Sequence, residues 1–133
     1  MIVVDTNVLA YLLLRGPRTE QAEVLRRQHR QWVAPPLWRS EFRNVLTGYL
    51  RRDLLPFPKA LVLMQEAEAI LSAHEEKVST EHVLQLVSSS HCSAYDCEFV
   101  SVAQHLGVPL ITEDRAILTA FPDMAQSLHH ATS

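Results

Sequence analysis

Ile2-Val3-Val4-Asp5-Thr6-Asn7 is one of two stretches that decide the fold, and the other is Pro109-Leu110-Ile111-Thr112-Glu113-Asp114. In each stretch a short, β-branched apolar run stops at polar side chains that can begin a helix. Such runs are typical of buried strands in a parallel sheet. Ligands of open α/β sheets bind at the carboxyl ends of these strands. The two stretches therefore predict an α/β fold with carboxylates from both ends of the chain at one sheet edge.

The composition predicts one ordinary globular domain over residues 1–133. Apolar residues make up 47% of the chain and charged residues 20%, which argues against disorder. With only 3 glycines, no glycine-rich phosphate loop is present. We find no apolar run of membrane-spanning length and no secretion signal, so we expect a cytoplasmic protein with no membrane association. The two cysteines, Cys92 and Cys97, are interpreted as packing residues.

Helical periodicity and turn residues divide the rest of the chain into alternating elements. We predict helices over about 8–14, 19–31, 37–52, 59–74, 80–87 and 94–106, and a short helix after the second acid-ended strand. Further strands are predicted at 32–34 and 77–79, and Pro122 is expected to begin an irregular tail. Strands that alternate with helices indicate a parallel sheet covered on both faces.

Two more acids occupy positions where apolar residues are expected. Glu41 lies three residues after Trp38 and four before Val45, inside the apolar stripe of the 37–52 helix. Asp96 lies three residues before Phe99 on the core-facing side of the 94–106 helix. A carboxylate on a core face is costly unless it is paired or binds a metal.

Each acid also has an ordinary structural explanation. Asp5 and Asp114 could be no more than helix-capping residues, and Asp96 could do no more than complement a helix dipole. Glu41 could pair with Arg39 or Arg43. We nevertheless interpret Asp5, Glu41, Asp96 and Asp114 as one cluster. A single shared site explains the placement of all four acids better than four unrelated structural roles do.

A cluster of four carboxylates calls for a hard divalent cation. The carboxylates repel one another, and ligation by oxygen alone favours Mg²⁺ or Mn²⁺ over zinc. Such ions serve phosphoryl chemistry, which needs no serine, cysteine or histidine nucleophile. Nine arginines and four acids lie between Arg15 and Asp53, whereas the rest of the chain has three basic residues and eleven acids. This asymmetry indicates a polyanion partner, although the arginines could equally be solvated helix faces, and Arg39 and Arg43 are candidate contacts to a phosphodiester backbone. No aromatic pattern predicts a base-stacking surface.

Four ordered segments, residues 2–9, 39–46, 93–96 and 107–115, resemble the PIN-domain ribonucleases. In particular they are similar to the VapC-type toxins of bacterial toxin–antitoxin pairs, from residue 2 to about 128. The resemblance implies a three-layer α/β/α domain with a central parallel sheet of about four to five strands. It also implies RNA cleavage with Mg²⁺ or Mn²⁺. Asp5, Glu41, Asp96 and Asp114 match the metal-binding acids, with Glu113 as an alternative to Asp114, and Thr6, Asn7 and Thr112 match the polar residues that orient the acids.

The same resemblance implies partners and leaves alternatives. VapC-type toxins usually form homodimers and are silenced by a small antitoxin. We expect the helices at 37–52 and 59–74 to form its groove, although apolar residues such as Leu61, Leu63 and Met64 are more often ordinary core. A housekeeping PIN nuclease and a haloacid-dehalogenase-like phosphatase remain alternatives, although the latter needs a second acid where this chain has Asn7. A non-catalytic RNA-binding module is the third interpretation.

Overall fold

The computed structural model describes all residues, 1–133. Its four strands form one entirely parallel sheet in the spatial order β2-β1-β3-β4, with β1 paired to β3 by Val4 opposite Ile111. The strands are β1 at Ile2–Val4, β2 at Trp32–Val33, β3 at Leu110–Ile111 and β4 at Ala125–Gln126. The chain leaves β1 to one side for β2 and later returns to the other side of β1 for β3. The crevice at this reversal, above the ends of β1 and β3, is where ligands of such sheets bind.

Eight helices surround the sheet and complete the predicted three-layer α/β/α arrangement. One group of helices, α1 to α4 with α8, packs together, and a second group pairs α5 with α6, which contacts β1 and β3. None of the helices is long and apolar enough to cross a membrane. The helices are α1 at Thr6–Leu13, α2 at Thr19–Gln28, α3 at Trp38–Arg51, α4 at Phe57–Leu71, α5 at Thr80–Ser88, α6 at Ala94–Leu106, α7 at Arg115–Ala120 and α8 at Leu128–Thr132.

The core explains why the strands are so apolar. All residues of β1, β2 and β3 are buried, because helices cover the sheet. Trp32, Trp38, Phe42 and Phe99 are the largest side chains that are fully enclosed. Helix α6 ends at Gly107, whose φ of 66° is the left-handed conformation that glycine adopts at low cost. After Gly107 the chain continues into β3.

Two predictions about the sheet are wrong. Residues 77–79 do not form a strand, because the chain touches the sheet edge only through an isolated bridge between Ala34 and Glu75. The fourth strand instead lies in the segment predicted to be an irregular tail, where β4 pairs with β3 and is followed by α8. Strand β4 consists only of Ala125 and Gln126, and it lacks the β-branched or aromatic residues that mark β2 and β3, which are equally short.

The apolar residues named on the 59–74 helix point in different directions. Leu63 is 3% exposed and belongs to the core, as is usual for an apolar residue of a packed helix, whereas Leu61 is 51% exposed. Phe57 and Val62 of α4 are also exposed. The helix therefore has an apolar outer surface, but not through all the residues that the sequence suggested.

Candidate active site

Asp5 leaves the carboxyl end of β1 and caps α1. Its backbone N–H donates to the carbonyl oxygen of Ile111 at 3.0 Å, which ties it to the neighbouring strand. Its Oδ1 accepts a hydrogen bond from the N–H of Thr6 at 2.8 Å, and its Oδ2 accepts one from the hydroxyl of Thr112 at 2.7 Å. The residue is 8% exposed. Both carboxylate oxygens are thus fixed in direction and removed from bulk water.

Glu41 reaches the same place from α3. Its Oε1 accepts a hydrogen bond from the hydroxyl of Thr6 at 2.7 Å. Glu41 does not pair with Arg39, which instead contacts Glu75 and Glu68 at 2.7 and 2.8 Å. No arginine forms an ion pair with the half-buried Glu41 carboxylate.

Asp96 and Asp114 complete the set of four acids. Asp96 lies in the first turn of α6, where Ser93 caps the helix by accepting from the Asp96 N–H at 3.1 Å. Asp114 caps α7, and its Oδ1 accepts from the N–H groups of Ala116 and Ile117 at 2.8 and 3.3 Å. Helix capping therefore accounts for one oxygen of Asp114. It does not explain why the two acids lie within electrostatic range of each other.

The neighbouring Glu113 is engaged elsewhere. One of its carboxylate oxygens forms an ion pair with Arg18, and the other accepts from the N–H of Leu128 at 2.9 Å. Glu113 therefore ties β3 to the start of α2 and to α8. Of the two adjacent acids, it is Asp114 whose negative charge raises the pKa of Asp5 and of Asp96.

Burial and mutual repulsion disfavour the charged forms of these acids. Burial is the largest cause that raises the pKa of Asp5, and the charges of Asp96 and Asp114 raise it further, against the hydrogen bonds from Thr112 and Thr6. The pKa values of Glu41 and Asp96 are also raised, again mainly by burial. Glu98, a fifth acid that the sequence analysis missed, adds to the repulsion on Glu41, and burial raises its own pKa. Glu98 lies four residues before Val102 and eight before Leu106 on α6, a helical spacing that could have marked it.

The donor set fits a hard divalent cation. Carboxylate oxygens are the ligands that Mg²⁺ and Mn²⁺ prefer, and a cation would relieve the repulsion between the acids. Nowhere do three or more carboxylate, histidine or cysteine side chains converge closely enough to hold an ion by themselves. Mg²⁺ commonly binds through one or two carboxylates and keeps several water molecules. An ion at this site would therefore need only part of the set in direct contact.

The three polar residues that resemble the orienting positions have different roles. The hydroxyls of Thr6 and Thr112 hold Glu41 and Asp5, and the Thr112 hydroxyl also accepts from the N–H of Asp114 at 3.0 Å. Asn7 does not orient any of the acids by a hydrogen bond, contrary to the expectation. Its Oδ1 is buried without a partner, and its side chain lines a pocket between α1 and α3.

The two candidate RNA contacts are also not equivalent. Arg39 packs its guanidinium 5.2 Å from the Trp38 ring centroid and binds Glu68 and Glu75, so it joins α3 to α4 and the following loop. Arg39 is therefore a residue that joins parts of the fold, which corrects its assignment as an RNA contact. Arg43 is exposed and takes part in no ion pair.

Comparison with known proteins places this site in a family. The family model described as "PIN domain" matches residues 2–122. Ribonuclease VapC3 of Pyrobaculum aerophilum is 28% identical over 124 residues, which cover 91% of this chain and 95% of that protein.

Two solved structures share the fold at 18% identity. The crystal structure of PAE2754 from Pyrobaculum aerophilum superposes with a TM-score of 0.77, covering 96% of this chain and 90% of that one. The crystal structure of FitAcB from Neisseria gonorrhoeae superposes with a TM-score of 0.76, covering 98% and 99%. The family match extends over nearly the whole chain and includes all four acids. This chain belongs to the PIN domain family.

Proposed function

We propose that this protein is a Mg²⁺- or Mn²⁺-dependent endoribonuclease that acts as the toxin of a toxin–antitoxin pair. The observation that carries the proposal is the set of Asp5, Glu41, Asp96 and Asp114 at the ends of β1 and β3, where no basic side chain neutralises them. The similarity of this chain to Ribonuclease VapC3 supports RNA as the substrate.

The chemistry follows from the donor set. A bound divalent ion polarises a phosphodiester, lowers the pKa of water and stabilises the leaving oxygen. Asp5, Glu41, Asp96 and Asp114 would hold the ion. Thr112 fixes the direction of Asp5 Oδ2, and Thr6 fixes that of Glu41 Oε1, so that the acids keep their positions as charge builds up on the phosphate.

The remaining interpretations differ in substrate. A haloacid-dehalogenase-like phosphatase would use a second acid two residues after Asp5, and this chain has Asn7 at that position. A phosphomonoester is therefore not the proposed substrate. A housekeeping nuclease would share the site and would differ only in lacking an antitoxin.

The test combines two substrates with two metal conditions. Purified protein is incubated with RNA or with p-nitrophenyl phosphate, in Mn²⁺ or in EDTA. We expect cleavage of RNA only, and only in Mn²⁺. Asp5→Asn should abolish this cleavage, whereas Asp123→Asn, at an exposed position outside the acid cluster, should retain it. A fully active, EDTA-insensitive Asp5→Asn protein would refute the proposal.

The proposed partners can be tested separately. Phe57, Leu61 and Val62 form an exposed apolar surface on α4 that suits a protein contact, either the antitoxin or a second copy of this chain in the proposed homodimer. We expect growth arrest when the protein is expressed alone and none when its proposed antitoxin is co-expressed. Light scattering on the purified chain measures the dimer. Arrest caused equally by the Asp5→Asn protein would argue against a toxin that works by cleavage.

A further inference from the structure

A pocket of about 460 Å³ opens between α1 and α3, next to the acids. On α1 its lining begins at Asn7, one residue after Thr6. On α3 it includes Val45 and Tyr49, one and two helical turns after Glu41. The hydrogen bond between Thr6 and Glu41 therefore lies at the end of the pocket that faces the acid cluster. Its size is within the range of pockets that bind small organic groups.

The lining of this pocket has the opposite charge to the acid cluster. Arg15 and Arg18 contribute to it and no carboxylate does, in a chain whose net charge is −3. Arg18 is paired with Glu113, whereas Arg15 is exposed and makes no ion pair. The positive charge of Arg15 is thus available to an anion that enters the pocket.

Two tyrosines supply aromatic walls. The guanidinium of Arg18 lies 5.4 Å from the ring centroid of Tyr11, and that of Arg52 lies 5.3 Å from the ring centroid of Tyr49. A guanidinium therefore lies over one face of each ring. Nucleobases stack on both aromatic rings and guanidinium planes.

The amide of Asn7 adds a polar group at the inner end. Its Oδ1 is buried without a hydrogen-bond partner, the residue lines the pocket, and its NH₂ group is a hydrogen-bond donor. Asn7 and the two arginines therefore offer hydrogen-bond donors. A ligand that combines a flat aromatic ring, acceptor atoms and negative charge complements this set.

We propose that the α1–α3 pocket binds one nucleotide of the RNA strand, next to the phosphate that lies at the acid cluster. Its base stacks against Tyr49 and Tyr11, and its phosphate contacts Arg15. The inference rests on the proposed ribonuclease function and adds a binding site to it. The pocket then contributes to the choice of cleavage position, because stacking and the contacts to Asn7 depend on the base.

The test measures RNA binding without catalysis. Fluorescein-labelled hexamers rA6, rC6 and rU6 are titrated with the protein in EDTA, and dissociation constants are obtained from anisotropy. Tyr49→Leu should weaken binding of the preferred hexamer about 5- to 150-fold, the range expected for the loss of one stacked base. Arg15→Gln should weaken binding and lower the slope of log affinity against log salt by about one.

Matched variants separate stacking from a general loss of structure. Tyr49→Phe keeps the ring and should bind like the wild type. Lys77→Gln removes an exposed cation that lies outside both the pocket and the arginine-rich stretch 15–53, so it should bind within twofold of the wild type. A single abasic site is also placed at each position of the hexamer in turn. For the wild type, one of these positions should weaken binding, and for Tyr49→Leu an abasic site at that position should have no effect on the dissociation constant.

Two results would overturn the inference. If the pocket receives a protein segment instead, Tyr49→Leu and Arg15→Gln will bind every hexamer within twofold of the wild type. If abasic scanning gives the same profile for the wild type and Tyr49→Leu, no base occupies the pocket. Cleavage of the hexamers by the wild type in Mn²⁺ distinguishes these failures from a failure of the ribonuclease proposal, which would show neither binding nor cleavage.

Discussion

Arg39 and Glu41 lie two residues apart on α3 but belong to clusters of opposite kinds. Arg39 binds Glu68 and Glu75 and packs on Trp38, so the charges around it are balanced within the protein. Glu41 faces Asp5 and Asp96, and burial together with their charges raises its pKa. The fold can evidently place an arginine against carboxylates where stability requires it. That the acid cluster has none indicates that its charge is kept for a ligand.

The largest expected effect is on catalysis at the acid cluster. Asp96→Asn keeps the shape of the side chain and removes one charge, so we expect RNA cleavage to fall on the order of 10³-fold, as for several kcal/mol of lost metal assistance. Glu68→Gln, which alters the Arg39 cluster, should leave cleavage within about twofold. Initial rates with Mn²⁺ measure both, and equal losses in the two variants would remove the distinction between the clusters.

A smaller loss should follow from disturbing the support of the acids. Thr112 is fully buried, donates to Asp5 Oδ2 and accepts from the N–H of Asp114. Thr112→Val leaves both contacts unmade at almost unchanged volume, and we expect about 10- to 100-fold lower activity or metal affinity. Thr112→Ser keeps the hydroxyl and serves as the matched control. Metal titrations of activity distinguish the variants, and a fully active Thr112→Val protein would contradict the positioning role.

The Arg39 cluster should affect stability rather than activity. Arg39→Met leaves Glu75 without its guanidinium partner in a setting where the arginine and Glu75 side chains are 28% and 20% exposed. We expect the free energy of unfolding to fall by about 1–2 kcal/mol, with activity per folded molecule retained. Arg27→Met, at an exposed position of α2, is the control. Urea denaturation gives the free energies, and a loss of activity without a loss of stability would assign Arg39 to the site.

The pH dependence should distinguish the acid cluster from ordinary paired carboxylates. The pKa of Asp5 is raised in the folded protein, so protonation favours folding, and this stabilisation is lost as the pH rises through the folded-state pKa. Without metal, Asp5→Asn should therefore be more stable than the wild type at pH 7. That advantage should shrink as the pH falls towards the ordinary pKa of aspartate. Thermal melts at pH 7 and pH 5 in EDTA test this, and an advantage that grows at low pH would contradict it.

The sequence revealed those features that depend on local pattern. The runs at β1 and β3 are long enough and apolar enough to be recognised as strands, and the acids that follow them lie where a parallel sheet must place them. Glu41 and Asp96 stood out because each interrupts an apolar stripe. These signals do not depend on knowledge of the tertiary contacts.

The features that could not be predicted from the sequence depend on contacts between residues that are distant along the chain. The two-residue strand β4 exists because β3 pairs with it, and nothing within the segment itself indicates a strand. Arg39 pairs with Glu68 and Glu75, which lie 29 and 36 residues further along the chain, and the local sequence of α3 does not indicate these partners. Asn7 lies on the α1 face that lines the pocket, although the motif suggested that it would support the acids.

The most direct test of the unbalanced acid cluster is the change in melting temperature on adding Mn²⁺ to metal-free protein. A ligand that binds only the folded state raises its stability with concentration. We predict that millimolar Mn²⁺ raises the melting temperature of the wild type and of Arg39→Met by similar amounts, and has little effect on Asp5→Asn. An unchanged wild type, or an equal rise in Asp5→Asn, would contradict the assignment of the acids to a metal site.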